Sequence, residues 1–273
     1  MSTISQVNSE FVRSFVKQQA GISLSEEKEY LLTSRLTPLS KSSNYPSLDE
    51  YINAVRTDPS MKHCEYHIID ALTTNETLFF RDHHPWQALK KLIIPDLINK
   101  AQNRRRLTFW CAASSTGQEP YSLAMMLLKD FPQLKDWKLD IYATDISEEM
   151  IAKAQKGMYS QFEVNRGLPA PYLIRYFQKV ENNWQLNDMV KSMVKFSKLN
   201  LLDRHTIIPQ CDLVMIRNVL IYFEEDTRKS ILTKIKDLLR PEGYLFLGSC
   251  ESCLGVFKEI NRPETGLANV YRP

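Results

Sequence analysis

The sequence predicts an open α/β sheet covered by helices on both faces, preceded by a small all-α domain and interrupted by a short β-ribbon insertion. Three observations carry that expectation. From about residue 86, short apolar runs rich in β-formers alternate with helix-length amphipathic stretches, the pattern of a mostly parallel sheet. The first seventy residues show helical periodicity and no strand signal. The last two strand-like runs have no helix-length segment between them, so they fit an antiparallel hairpin that closes the sheet.

Taken in order, Ile4, Val7, Phe11 and Phe15 recur at helical spacing and predict a first helix with that face buried. Ser25, followed by Glu26, Glu27 and Glu29, resembles a capped acidic first turn, and Ser47 with Glu50 has capping-box spacing. A fourth helix would carry Met61, Cys64, Ile68 and Leu72 on one face. These elements give a helical domain over residues 1–72, a linker over 73–85 and a sheet domain over 86–273. The strands expected in that domain are LTFWCAA (107–113), LDIYATD (139–145), VKFSKLN (194–200), CDLVMIRN (211–218) and GYLFLG (243–248). The closing hairpin falls near Val256 to Ile260 and Ala268 to Arg272. Between them, about 157–193, Gly157, Gly167, Pro169, Pro171 and the polar stretch KVENNWQLND predict an inserted helix and small hairpin.

Composition narrows the function. A chain of 273 residues with 43% hydrophobic content can bury a large core. Its 35 basic and 32 acidic side chains leave a net charge of +3, too little to argue for nucleic acid, and none for membrane insertion. The N-terminus MSTISQVNSE is polar and no apolar run nears the roughly 20 residues of a membrane span, so the expectation is a cytoplasmic protein. Five cysteines do not form a disulfide framework. Cys250 and Cys253 make one CxxC without a second pair at zinc-ligand spacing, and His83 and His84 read as loop residues; no metal site is expected.

The segment FWCAASSTGQEPYS (109–122) runs from a hydrophobic strand through a small-residue loop at Gly117 into an apolar helix headed by Glu119. The next strand ends in an acid, Asp145, which suits both hydroxyls of a ribose. A glycine loop lets a ligand approach the backbone, but one glycine leaves little room for the pyrophosphate of a dinucleotide. The expected ligand is therefore a small adenosine-bearing cofactor. TTNETLFFRD (73–82) places Asn75, Thr77 and Arg81 around two phenylalanines where the domains join, and IRNVLIYF (216–223) puts Asn218 and Val219 at a strand's carboxyl end with Tyr222 just beyond.

Together these segments resemble the chemotaxis receptor (MCP) glutamate methyltransferases of the CheR family. TTNETLFFRD is similar to a TTN-x-T-x-FFR signature, FWCAASSTGQEPYSLAM to the family's cofactor loop, ATDIS to its ribose-binding tip, and LNLLD and RNVLIYF to its third and fourth strand ends. The resemblance spans nearly the whole chain. It implies an S-adenosylmethionine-dependent methyltransferase with a Rossmann-like sheet ending in a hairpin. It also implies that Asn75, Thr77, Arg81, Glu119, Asp145, Asn200, Leu201, Asn218 and Val219 line the S-adenosylmethionine site. Asp145 suits the ribose, Glu119 the methionine ammonium, and Asn200 with Leu201 the adenine. Arg81 and Tyr222 match positions that steer the acceptor carboxylate. The implied reaction forms glutamate γ-methyl esters on the cytoplasmic helices of chemoreceptors, with S-adenosylhomocysteine as product. A glutamate, with an ordinary pKa of about 4.3, is already ionised at neutral pH and needs no general base.

Two features qualify what the resemblance implies. Residues 1–70 hold 7 basic and 9 acidic side chains, a net of −2, so any face for acidic receptor helices must be local. The inserted ribbon is short around KVENNWQLND, which weighs against capture of a receptor's C-terminal pentapeptide by strand addition. Competing readings are an NAD-linked oxidoreductase, a nucleic-acid methyltransferase, a cofactor-binding adaptor, or a methyltransferase acting on another acidic protein. The single-glycine loop opposes the first. The absence of an Asn/Asp-Pro-Pro-aromatic motif after the fourth strand opposes the second.

Overall fold

A computed structural model describes residues 4–259 and 269–273. The chain divides into two compact units, one of residues 1–74 with 222–227, the other of residues 75–221 with 228–273. Among the described residues no helix is long and apolar enough to cross a membrane.

The first unit holds helices α1 (Gln6–Ala20), α2 (Glu29–Ser42), α3 (Leu48–Thr57) and α4 (Cys64–Leu72). Its core is made by Val12, Val16, Leu32, Leu36, Tyr51, Ile52, Cys64, Ile68 and Leu72. Of the face expected for α1, Ile4 is buried but the rest is not. Val7 is 58% exposed, and Phe11 and Phe15 are half-buried and stack on each other at 5.8 Å. The inward stripe is instead Val12, Val16 and Ala20 with the polar Asn8 and Ser9. Asn8 is tolerated there because its amide donates to the Asp49 carbonyl and carboxylate at 3.0 and 2.8 Å. Ser25 also departs from expectation: it precedes a short 3₁₀ turn, Glu26–Lys28, and its side chain caps nothing. Ser47 accepts the Glu50 N–H at 3.2 Å, and its hydroxyl donates to the Glu50 carboxylate at 3.0 Å. The segment 222–227 joins this unit through an isolated bridge, Ile22 to Phe223, and a Lys17–Glu224 ion pair of 2.7 Å.

In the second unit, α5 (His83–Ala88) passes through a π turn (Leu89–Ile93) into α6 (Ile94–Lys100). The backbone of His83 and His84 thus opens a helix rather than lying in a loop. Pro95 lacks the N–H that a regular ladder would use, and the wider turn accommodates the loss. The seven-stranded sheet contains β1 (Arg106–Ala112), β2 (Lys138–Asp145), β6 (Val194–Lys198), β7 (Cys211–Ile216), β8 (Leu239–Leu247), β9 (Lys258–Glu259) and β10 (Val270–Arg272). Its order is β6-β2-β1-β7-β8-β10-β9, with the first five parallel and the last two antiparallel. Ile260 and Ala268, expected in the closing hairpin, lie outside the described residues. Helices α7 (Gln118–Asp130), α8 (Glu148–Lys156) and α12 (Glu225–Leu238) supply the crossovers. Strand β7 is buried throughout, as a central parallel strand must be.

The insertion is more built than a single hairpin. It contains β3 (Met158–Ser160), β4 (Phe177–Val180) and β5 (Asn183–Leu186) in an antiparallel sheet of order β3-β5-β4, with short helices α9 (Gln161–Asn165), α10 (Ala170–Tyr176) and α11 (Asp188–Lys191). The expected hairpin is β4–β5, turned at Glu181, whose φ is 52°. Tyr159 and Phe177 from this sheet pack edge-on against Phe79, which anchors the insertion to the main core.

Candidate functional site

The register puts the carboxyl ends of the central strands level. Ala112 pairs with both Thr144 and Ile216, and Ile216 pairs with Leu247. Chain order runs outward on both sides of β1, so a crevice opens beyond β1 and β7, where open α/β sheets take ligands.

The loop after β1 is strained and heavily tied. Ala113, Ser115 and Gly117 have φ of 54°, 47° and 90°. The Ser115 N–H donates to Asp145 Oδ2 at 2.7 Å, and its hydroxyl donates to the Asn75 carbonyl at 2.8 Å. Tyr159 donates to the Thr116 carbonyl at 2.7 Å. The glycine at 117 has a reason other than ligand approach. A Cβ there would lie 3.0 Å from Ala154 Cβ, 3.1 Å from Tyr121 and 3.2 Å from Phe196, so the space is needed for packing against α8 and β6.

Asp145 closes β2 and is buried. Besides Ser115 it accepts the Ser147 N–H at 3.0 Å, while Ser147, not Asp145, caps α8 by accepting from Met150. Asp145 thus ties the loop after β1 to the start of α8. Its carbonyl takes the Leu199 N–H at 2.9 Å, which places Asn200 and Leu201 directly beyond β6; Leu201 is buried and Asn200 Oδ1 accepts the Leu202 N–H at 3.0 Å.

A residue that sequence reasoning passed over, Arg217, organises the other side. Its side chain is 1% exposed at the end of β7. It donates to Glu119 Oε2 at 2.8 Å, to Asp82 Oδ2 at 3.1 Å and to the Arg81 carbonyl at 2.9 Å. The signal was available: a cation terminating the apolar run CDLVMI must be paired once buried. Arg81 itself sits between two left-handed residues, Phe80 at φ 48° and Asp82 at φ 58°, and donates to the Glu76 carbonyl at 3.1 Å. Glu119, 14% exposed, has its pKa pushed up by burial, an effect that the Arg217 charge opposes.

Glu251 was also missed, hidden between the two cysteines of the CxxC. It lies buried just after β8 and receives the N–H groups of Asn218, Val219, Leu220 and Gly248. The cysteines are free, Cys250 exposed and Cys253 buried. Among the described residues no cluster suited to a metal ion occurs.

Of the residues singled out from the sequence, Asn75 and Asp145 meet through Ser115, and Arg81 and Glu119 through Arg217. Asn218 and Val219 share Glu251, and Thr77 is half-buried between Asn75 and Phe79. Tyr222 is half-buried in the 3₁₀ turn Leu220–Tyr222 and groups with the helical unit, where its carbonyl accepts the Ser23 N–H at 2.9 Å. Among the polar atoms of this edge that are buried without a hydrogen-bond partner are Asn218 Oδ1, Ser114 Oγ and Arg217 Nε. An unmet acceptor and hydroxyl inside a polar crevice fit a ligand bearing amine and hydroxyl groups, as S-adenosylmethionine does.

Comparison with known proteins gives the same direction. Residues 75–264 match the family described as CheR methyltransferase, SAM binding domain, and residues 9–73 match its all-alpha domain. The chain is 40% identical over 248 residues to chemotaxis protein methyltransferase 1 of Pseudomonas aeruginosa, covering 89% of each chain. It is 39% identical over 249 residues to chemotaxis protein methyltransferase Cher2 of Pseudomonas putida, covering 89% of this chain and 90% of that protein. To the chemotaxis protein methyltransferase of Borreliella burgdorferi it is 35% identical, covering 86% and 84%.

Proposed function

Because the chain belongs to the CheR methyltransferase family, with an S-adenosylmethionine-binding domain, we propose that it esterifies glutamate side chains on the cytoplasmic helices of chemoreceptors. The observation that carries this reading is the family match across both units, laid over a carboxyl-edge crevice that is polar and tied. Asn75, Thr77, Arg81, Glu119, Asp145, Asn200, Leu201, Asn218 and Val219 would hold the cofactor. Asp145 takes the ribose hydroxyls, Glu119 the ammonium, and Asn218 Oδ1 a further N–H donor. When bound, S-adenosylmethionine supplies a methyl group made electrophilic by its sulfonium.

The protein's task is then alignment. The acceptor glutamate arrives ionised, so no residue need remove a proton. Arg81 and Tyr222 would hold one carboxylate oxygen so that the other faces the methyl carbon. Such orientation can contribute up to roughly 7–11 kcal/mol. A guanidinium bound too tightly to the nucleophilic oxygen would blunt it, which favours hydrogen bonding to the other oxygen. In the insertion, β4 and β5 are only four residues each. That shortness supports docking on receptor helices without capture of a receptor tail.

The test is incubation with a demethylated receptor cytoplasmic fragment and methyl-labelled cofactor. Label that is released by mild base is the expected result. Base-stable label, or none from a protein that binds S-adenosylhomocysteine, would overturn the glutamyl ester reading while leaving cofactor binding intact.

A further inference from the structure

Resting on the cofactor reading of the same crevice, we infer that Glu251 is a positioning residue: its carboxylate fixes the backbone of residues 218–220 in the one shape that aims the Asn218 side chain into the site. Three facts converge on it. First, the carboxylate collects four backbone donors: Oε1 takes Val219 at 2.8 Å and Leu220 at 2.7 Å, and Oε2 takes Asn218 at 2.9 Å and Gly248 at 2.7 Å. Successive N–H groups converging on one anion form an anion-binding nest, here filled by the protein's own side chain. Second, Asn218 stands at φ 59°, a left-handed conformation that an isolated chain seldom holds. A charge-assisted bond to its own N–H, and to the next two, offsets that cost. Third, Gly248 is shaped around the device. A Cβ at 248 would lie 2.7 Å from Glu251 Oε2, 2.8 Å from the Asn218 nitrogen and 3.1 Å from Asn218 Nδ2.

The consequence reaches the side chain. Asn218 Oδ1 is buried with no protein partner. An orphan acceptor beside backbone N–H groups that are all bonded is the arrangement of a group held ready for a ligand's N–H. Glu251 touches no reacting atom. It acts by keeping Asn218 and Val219 from relaxing toward the ordinary right-handed conformation.

The experiment uses the full chain and S-adenosylhomocysteine as probe. Glu251→Gln keeps the shape but offers one acceptor oxygen in place of two, and its NH₂ faces backbone N–H groups. Gly248→Ala disturbs the same device from its other side. Ile235→Val, in the buried face of α12, serves as a control for lost stability alone. The expected result is a roughly tenfold rise in Kd for the probe and in KM for S-adenosylmethionine with Glu251→Gln and Gly248→Ala, about 1.4 kcal/mol. The KM for receptor fragment stays unchanged, and Ile235→Val keeps its cofactor affinity. In the wild-type protein the amides of 218–220 should exchange slowly with solvent even without ligand. Probe affinity within twofold of wild type in either folded variant would overturn the inference. So would an equal loss with Ile235→Val at matched Tm, or fast exchange at 218–220. Failure of the wild type to bind the probe would instead overturn the cofactor reading.

Discussion

Replacing Glu119 by Gln separates what its charge does for the fold from what it does for the ligand. In the fold, the ionised carboxylate is held at 2.8 Å from Arg217 and is disfavoured by burial, which comes first among the causes raising its pKa. The sign follows. A carboxyl whose folded pKa lies above its unfolded one adds stability as pH falls through the folded value and loses it as pH rises. At neutral pH its charge is therefore a burden that Arg217 only partly lifts. Two unit charges about 4 Å apart attract by about 4 kcal/mol at an effective dielectric of 20, and desolvation in a site this closed takes back most of it. Arg217 keeps Asp82 and the Arg81 carbonyl in the variant, so its own charge is not stranded. Glu119→Gln should thus change unfolding free energy by no more than about 1–2 kcal/mol. Cofactor binding should respond otherwise. A hydrogen bond between charged groups contributes about 1.5–3 kcal/mol, so loss of the carboxylate should weaken S-adenosylhomocysteine roughly 10- to 100-fold. The pH profiles sharpen the contrast. Wild-type affinity should decline as pH falls through the raised carboxyl pKa, while the Gln variant stays flat across that range. Calorimetry at several pH values decides it. Equal affinities, or two profiles of the same slope, would refute the ammonium role.

Asp145→Ala removes the acceptor for the Ser115 and Ser147 N–H groups together with the expected ribose contact, so calorimetry should show S-adenosylhomocysteine binding weakened at least about 100-fold; unchanged affinity would end the ribose assignment. Tyr222→Phe should leave the probe's Kd within twofold and lower kcat for receptor methylation by roughly 10- to 100-fold, since a misaligned acceptor costs about that much. Gly167→Ala should be severe for its size. Gly167 has φ 91°, and a Cβ there would lie 2.1 Å from the Phe79 carbonyl oxygen, so the segment bearing Arg81 must shift or the insertion must lift away. A Tm lowered by several degrees, with methyl transfer reduced at temperatures where the variant is folded, is the expected outcome, and a wild-type Tm would contradict it.

The elements most legible in the sequence were those fixed by period and burial. Strands β1 and β7 are largely apolar, with Thr108 and Asp212 as buried exceptions, because both faces are covered, and neither their existence nor their parallel setting needed tertiary information. The hairpin β4–β5 was announced by its polar turn. Strand β3 was not, because three residues, Met158 to Ser160, carry no period; pairing with β5 makes it a strand. The α1 face was misread for a related reason. Helical spacing grouped Phe11 and Phe15 with Ile4 and Val7, but the inward stripe includes Asn8, bonded to Asp49, a long-range tie that no local pattern encodes. At the candidate site, Asp145 and Asn218 could be placed at the carboxyl edge from strand ends, and Glu119 from its place at the head of the helix after the Gly117 loop. Arg217 and Glu251 could not be given roles, since each acts on backbone groups of segments far away in sequence: Arg81 from 217, and residues 218–220 from 251.

Those two residues and Asp145 share one design. Non-glycine residues with left-handed backbone gather along this edge: Phe80 and Asp82 around Arg81, Ala113 and Ser115 in the loop after β1, and Asn218 after β7. Each group of them is tied by a charged side chain that is itself buried. Arg217 holds the Arg81 carbonyl, Asp145 holds the Ser115 N–H, and Glu251 holds the Asn218 N–H. A left-handed non-glycine residue costs of order 1–3 kcal/mol, and a bond from a charged group to the backbone contributes about 1.5–3 kcal/mol, so each such bond offsets about one strained residue. What remains is rigidity. The proposed methyl transfer to an acceptor that is already ionised asks for aligned atoms and no proton movement, and a crevice whose loops are clamped by buried ions would meet that demand before any ligand arrives. It follows that loosening a clamp should raise the KM for cofactor more than it lowers stability, an asymmetry that a loop held only by apolar packing would not display.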